Sequence, residues 1–158
     1  MRKSFTIIEM LVVMGILSIL MAMIFPNLTT IIHSSNITSK MNVLVNDMKQ
    51  QQNKAMSGVL GEATGDKFGV HFDINKYTLF SGTYNVNNSL NYSVDIDSPL
   101  QIVNPSTSLP NGEIIFSNGS GEVANFDNSK KTISILNTAT NTQYTIVFNK
   151  YGVVISAK

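Results

Sequence analysis

Phe5-Thr-Ile-Ile-Glu-Met-Leu-Val-Val-Met-Gly-Ile-Leu-Ser-Ile-Leu-Met-Ala-Met-Ile-Phe25 is a run of 21 residues that holds one formal charge, Glu9. Arg2 and Lys3 precede it, and after Glu9 no Lys, Arg, Asp or Glu occurs until Lys40. A helix crossing the hydrocarbon core of a bilayer needs about 20 residues, so Phe5–Phe25 reads as a membrane helix. The basic pair ahead of it, with no cation behind it until Lys40, keeps the N-terminus cytoplasmic and sends the rest of the chain outward. An ordinary secretory signal peptide shares the basic start, but its apolar region spans about 7–15 residues and ends at an Ala-x-Ala site. Here the run is longer, no such site follows, and apolar positions continue through Leu28, Ile31 and Ile32. A plain single-pass anchor is the simpler alternative, and Glu9 argues against it. An ionisable side chain costs about 2.5–3.5 kcal/mol at mid-span and less near the interface, so its presence marks a functional site that needs a partner.

The rest of the chain narrows the chemistry. From Pro26 onward nine Lys+Arg face nine Asp+Glu, which leaves no net field to steer a polyanion. Cysteine is absent, excluding disulfides, thiolate zinc sites and a cysteine nucleophile, and only His33 and His71 are available as imidazoles. No Gly-x-Ser-x-Gly elbow occurs, and Asn118-Gly-Ser-Gly121 has no following Lys, so it reads as a tight turn rather than a phosphate loop. Asp95-Ile-Asp97 and Asp73-Ile-Asn75 carry oxygen ligands without the density of a calcium loop. The expectation is a non-enzymatic protein with no cofactor and no metal site.

Pro26 removes a backbone donor and is expected to kink the helix just past the membrane stretch. Downstream, Met41, Leu44, Val45, Met48, Gln52, Ala55 and Val59 recur at three-and-four spacing, with Lys40, Asn42, Asn46, Asp47, Lys49, Gln50 and Lys54 mainly opposite. That is an amphipathic helix whose apolar face contains one polar gap, Gln52. Gly58 and Gly61 mark its end. From Lys67 the period shortens, and nine β-rich runs alternate with turn residues: Phe68–Asp73, Tyr77–Ser81, Leu90–Ile96, Leu100–Val103, Glu113–Ser117, Gly121–Asn125, Thr132–Leu136, Gln143–Asn149 and Gly152–Ser156. The fold class expected is α+β: a long N-terminal helix packed on an antiparallel sheet or sandwich. Its core would use Met41, Leu44, Met48, Phe68, Val70, Phe72, Phe116, Ile135, Ile146 and Phe148.

Ser4-Phe5-Thr-Ile-Ile-Glu9-Met-Leu-Val-Val13 behind a short basic leader resembles the class III signal of type IV pilins and pseudopilins. The resemblance implies that a prepilin peptidase cuts between Ser4 and Phe5 and methylates the new amine of Phe5. It also implies that Glu9 is the acidic assembly residue and that Pro26 is the helix-breaking proline. The family's usual residue before the cut is Gly, and Ser4, also small, stands there instead. The organisation expected is a leader at 1–4, an assembly half of the helix at 5–25, an amphipathic half at 26–60 and a β-rich domain at 67–158. Asn53-Lys-Ala-Met56, Phe68-Gly-Val-His-Phe-Asp73, Tyr77-Thr-Leu-Phe80, Ile114-Ile-Phe-Ser-Asn-Gly119 and Tyr144 to Ile155 are similar to segments of the H-type minor pseudopilin of type II secretion and related minor pilins. Partners implied are prepilin peptidase, other pilins or pseudopilins in a filament, an assembly platform with its ATPase, and membrane lipid. The location implied is the cytoplasmic membrane and then an extracytoplasmic filament. A DNA-uptake or adhesive minor pilin is the alternative, and Lys150 and Lys158 make a thin phosphate footprint for it.

Overall fold

The spacing of apolar residues changes midway along one helix, and that change organises the molecule. The structure, a computed structural model, describes residues 6–58 and 67–157, and for residues 23–36 only the helical backbone. Helix α1 (Ile7–Met56) starts the chain's regular structure. The chain divides into two units, Met1–Ser35 and Asn36–Lys158.

In the first unit every residue from Thr6 to Ala22 is exposed. Ile7 is 87% exposed and Leu17, ten residues on, still 49%, so no face of this segment is a core face. A helix apolar all round needs an apolar surrounding. Among the described residues no helix is long and apolar enough to cross a membrane. The run expected to do so, Phe5–Phe25, begins and ends at residues outside those whose side chains are described.

In the second unit the three-and-four spacing takes effect. Ile37, Met41, Leu44, Met48 and Ala55 of α1 are buried in one core with the strands. Fully burying an aliphatic side chain contributes about 1.5–3 kcal/mol, so this stripe is what docks the helix. The helix stops at Met56, where Ser57 donates its amide to Asn53 and Gly58 turns to positive φ, a left-handed exit that suits glycine. Gly61, the other expected end marker, lies outside the described residues.

Among the described residues eight strands follow. β1 (Phe68–Phe72), β2 (Lys76–Ser81), β3 (Tyr92–Asp95) and β5 (Glu113–Phe116) form one antiparallel sheet in the order β3-β2-β1-β5. β4 (Leu100–Ile102), β6 (Thr132–Asn137), β7 (Thr142–Phe148) and β8 (Val154–Ala157) form the second, in the order β4-β6-β7-β8. The architecture is α+β. Alternation places Phe68, Val70 and Phe72 of β1 with Ile114 and Phe116 of β5 in the core, and from the second sheet Ile133, Ile135, Ile146 and Phe148. All ten expected core residues are buried.

One expected strand does not form. Gly121–Asn125 makes only an isolated bridge, Val123 to Phe116. Two features stop it. Val123 donates its amide to Lys150 in the β7–β8 turn (2.8 Å), tying it to the other sheet. Asn125 replaces strand backbone with its side chain: Oδ1 accepts from Ile115 N–H at 3.1 Å and Nδ2 donates to the Glu113 carbonyl at 2.9 Å. The open edge of β5 is thus met partly by this amide and partly by backbone, with Ala124 N–H on the Ile115 carbonyl at 2.7 Å and Ser117 N–H on the Glu122 carbonyl at 2.8 Å.

Candidate functional site

Of the residues singled out from the sequence, Ser4 and Phe5 lie outside the described residues, and the description begins at Thr6. Pro26 falls within the helical span of α1, with its side chain outside the description. Glu9 is described, and its surroundings hold something the charge argument missed. The Thr6 amide and the Thr6 hydroxyl both donate to Glu9 Oε2 at 3.0 Å. In return the Glu9 amide donates to Thr6 Oγ1 at 3.3 Å. This reciprocal pair is a capping box, which satisfies donors that the first helical turn would leave open. The signal was legible as Thr6-Ile-Ile-Glu9, a Thr followed three residues later by Glu at the head of an apolar run.

The capping box changes what Glu9 needs. A carboxylate at a helix N-terminus is favoured by the helix dipole, and two donors already attend one of its oxygens. Glu9 therefore starts α1 by itself, before any neighbour is considered. Further along, Gly15, Ser18 and Ala22 interrupt the run of large apolar side chains. At Gly15 an added Cβ would meet nothing within 4 Å. Ser18 returns its hydroxyl to the Met14 carbonyl at 2.8 Å, so its own donor is met within the helix.

The polar gap in the second stripe is also a contact. Gln52 Nε2 donates to the Gly121 carbonyl at 2.8 Å and to the Tyr151 carbonyl at 2.7 Å. One side chain thus clamps α1 to two turns, and Gly119 N–H adds a bond to the Ala55 carbonyl at 2.9 Å. Close approach here requires glycine: a Cβ at Gly121 would sit 2.4 Å from Met56 Cγ, and Gly121 also has φ +66°. A second tie is Tyr77, 1% exposed, whose hydroxyl donates to Asp47 Oδ2 at 2.5 Å. Burial, with the Asp47 carboxylate beside it, pushes the Tyr77 hydroxyl well above the ordinary tyrosine range.

The weaker candidates resolve into local structure. Asp73 faces His71 at 3.6 Å and Lys76 at 4.0 Å, and Asp97 pairs with Lys40 at 3.4 Å. Asn75, Asp95 and Asp97 do line one open pocket of about 460 Å³. Among the described residues, no group of three or more His, Cys, Asp or Glu could hold a metal ion. Asn118-Gly-Ser-Gly121 is a turn closed by Gly121 N–H on the Ser117 carbonyl at 2.9 Å. Lys150 is held by Glu122 at 3.0 Å, which raises its pKa and occupies half of the basic tail; Lys158 lies outside the described residues.

The prokaryotic N-terminal methylation motif matches residues 1–25. It covers the basic pair, the capping box and the whole apolar run, and it is a processing signal rather than a catalytic site. No curated protein and no solved structure matches the chain.

Proposed function

We infer that the chain is a type IV pilin-like subunit, a minor pseudopilin of type II secretion or a related minor pilin, that works by assembling into a filament. The observation that carries this reading is the methylation motif at residues 1–25 continuing into a helix exposed and apolar on every described face. Prepilin peptidase cuts between Ser4 and Phe5 on the cytoplasmic side and methylates Phe5. The amine so created has an ordinary pKa near 8, and its charge is costly in hydrocarbon unless paired. Glu9 of a neighbouring subunit is its partner. Cutting leaves the Phe5–Thr6 peptide intact, so the capping box survives and presents the Glu9 carboxylate already oriented. Ion pairing then sets the axial register between helices, the best-attested use of a buried pair. Apolar contact along Gly15, Ser18 and Ala22 supplies the rest, and Pro26 loosens the helix where it leaves the membrane. An assembly platform and its ATPase lift the subunit out of the cytoplasmic membrane. The loss of Lys150 to Glu122 counts against the DNA-uptake alternative.

Glu9 variants test the mechanism. Glu9→Val should insert in the membrane and be cut before Phe5, yet co-purify with filaments at least tenfold less than the parent. Glu9→Gln keeps a capping-box residue and loses the charge, so a defect in Gln as well assigns the effect to pairing. Normal incorporation of Glu9→Val removes the role given to Glu9. Intact mass of the membrane-extracted protein checks processing, and a mature start beyond Phe25 rejects the reading altogether.

A further inference from the structure

The loop between β2 and β3, Gly82–Asn91, is bonded largely to itself. Asn85 is its hub: the side chain accepts the Asn87 amide at 3.0 Å, and the carbonyl accepts the Asn88 amide at 3.0 Å and Asn91 Nδ2 at 2.7 Å. The loop leaves the sheet at Gly82, whose amide donates to the Lys67 carbonyl at 2.8 Å. Tyr84 brings it back, with its ring stacked on His71 and tilted against Phe80 at 5.5 Å. The β1–β2 register puts Gly69, His71, Thr78 and Phe80 on one face of the first sheet. The shared core takes Phe68, Val70 and Phe72 from the other face. Phe80 is nevertheless only 2% exposed, with Tyr84 against it.

The charged groups set against His71 favour one form of its ring. Nδ1 lies 3.1 Å from Glu113 Oε1 of β5, and Nε2 lies 3.6 Å from Asp73 Oδ1 in the β1–β2 turn. Lys76 of β2 stands behind, 4.0 Å from Asp73 Oδ2, with Asp95 of β3 opposite it in register. A neutral imidazole has one N–H, so one of its nitrogens would turn a lone pair toward a carboxylate. The imidazolium offers an N–H to each. The stack on Tyr84 points the same way. Its ring centroids are 3.8 Å apart and its planes 10° from parallel, which leaves little offset. Two neutral rings prefer an offset or edge-on arrangement, whereas a cation is drawn to the face of a tyrosine.

We propose that His71 and Tyr84 form a proton-controlled latch: the imidazolium holds the Gly82–Asn91 loop on the face of the first sheet away from the core, and loss of its proton releases the loop and uncovers Phe80. Docking and protonation support each other, since each favours the same form of the ring. Imidazole changes charge between about pH 5 and 8, so the loop is held at the acid end of that range and freed at the alkaline end. The surface under this control carries Val86 and Leu90, both exposed. The latch lies wholly within the second unit and does not depend on the fate of the N-terminus.

The test uses the full chain, isotope-labelled in detergent micelles, by NMR at about pH 5.5 and about pH 8. The nuclear Overhauser contact between the His71 and Tyr84 rings should weaken about threefold or more at the higher pH. Amide order parameters across the loop should fall with it, from about 0.85 toward 0.6. His71→Phe keeps a ring that cannot be charged, and His71→Gln removes the ring. Both should leave the loop mobile at either pH. Tyr84→Leu keeps an apolar cover for Phe80 but offers no face to a cation, so it should do the same. His33→Gln removes the other histidine and should leave the response intact. A parent loop equally ordered at both pH values overturns the proposal without any variant, as does a loop that loosens toward acid. A response that survives in His71→Gln, or vanishes in His33→Gln, overturns it as well.

Discussion

Residues Ile7–Ala22 and Ile37–Met56 belong to one helix and share Ile, Leu, Val and Met at their apolar positions, yet they do opposite things with them. In the first stretch Met10, Met14, Leu17 and Met21 are all exposed; in the second Met41, Leu44 and Met48 are 3% exposed or less. Residue type does not explain the difference. Arrangement does: the second stretch keeps most of its apolar residues in one buried stripe with polar residues around it, while the first is exposed and largely apolar on every described face. A stripe finds its counterpart within the chain, and an all-round apolar cylinder finds it only in lipid or in other chains.

The sharpest way to break that comparison is to truncate the same residue type on both sides. Leu44→Ala, at a site with 0% exposure, is expected to cost about 2–5 kcal/mol in denaturant unfolding of the second unit. Leu17→Ala should leave that transition unmoved and act only on incorporation into filaments. Equal effects on the melt would mean that the first stretch also packs within the chain.

Tyr77→Phe removes a buried donor to a carboxylate and should cost about 1.5–3 kcal/mol. It carries a pH signature as well. The folded hydroxyl holds its proton beyond the pH at which an unfolded tyrosine ionises, near 10. Its contribution is therefore fully present below about pH 10 and declines above it, as the unfolded chain alone loses protons. Thermal midpoints taken on either side of pH 10 should show a steeper alkaline loss for the parent than for Tyr77→Phe.

Glycine offers a matched pair. At Gly69 an added Cβ would lie 2.4 Å from Phe80 Cζ and 2.8 Å from the Ile114 carbonyl oxygen, so Gly69→Ala should destabilise by about 1–3 kcal/mol. Gly15→Ala has open space and a helix interior, so it should not lower stability. A filament defect in Gly15→Ala with an unchanged melt would sharpen the contrast between folding and assembly.

The smallest effect expected is at the helix start. Thr6→Ala removes the hydroxyl of the capping box and should cost about 0.5–2 kcal/mol of local helix stability. Faster amide exchange at Ile7–Met10 with no change in the second unit is the expected reading. An unchanged exchange rate would leave Glu9 with its intermolecular role alone.

Much of this molecule was legible in the residues because the relevant signals are local. The 21-residue run, the stripe from Met41 to Ala55, the turn at Asn118 and the ten core positions depend on spacing along the chain, and spacing is what a sequence displays. Thr6-Ile-Ile-Glu9 was legible in the same way, since a capping box spans a single turn. Tertiary structure decided what depends on partners distant in sequence. It placed β1 between β2 and β5 and paired β4 with β6, because strands of similar composition are told apart only by which neighbours share a core. It turned Gln52 from a gap in an apolar stripe into a clamp, because the carbonyls of Gly121 and Tyr151 lie 69 and 99 residues away in the chain. It reduced an expected strand to a single bridge, with the side chain of Asn125 taking over part of the bonding along β5. Periodicity says which face of an element is buried; only packing in three dimensions says against what.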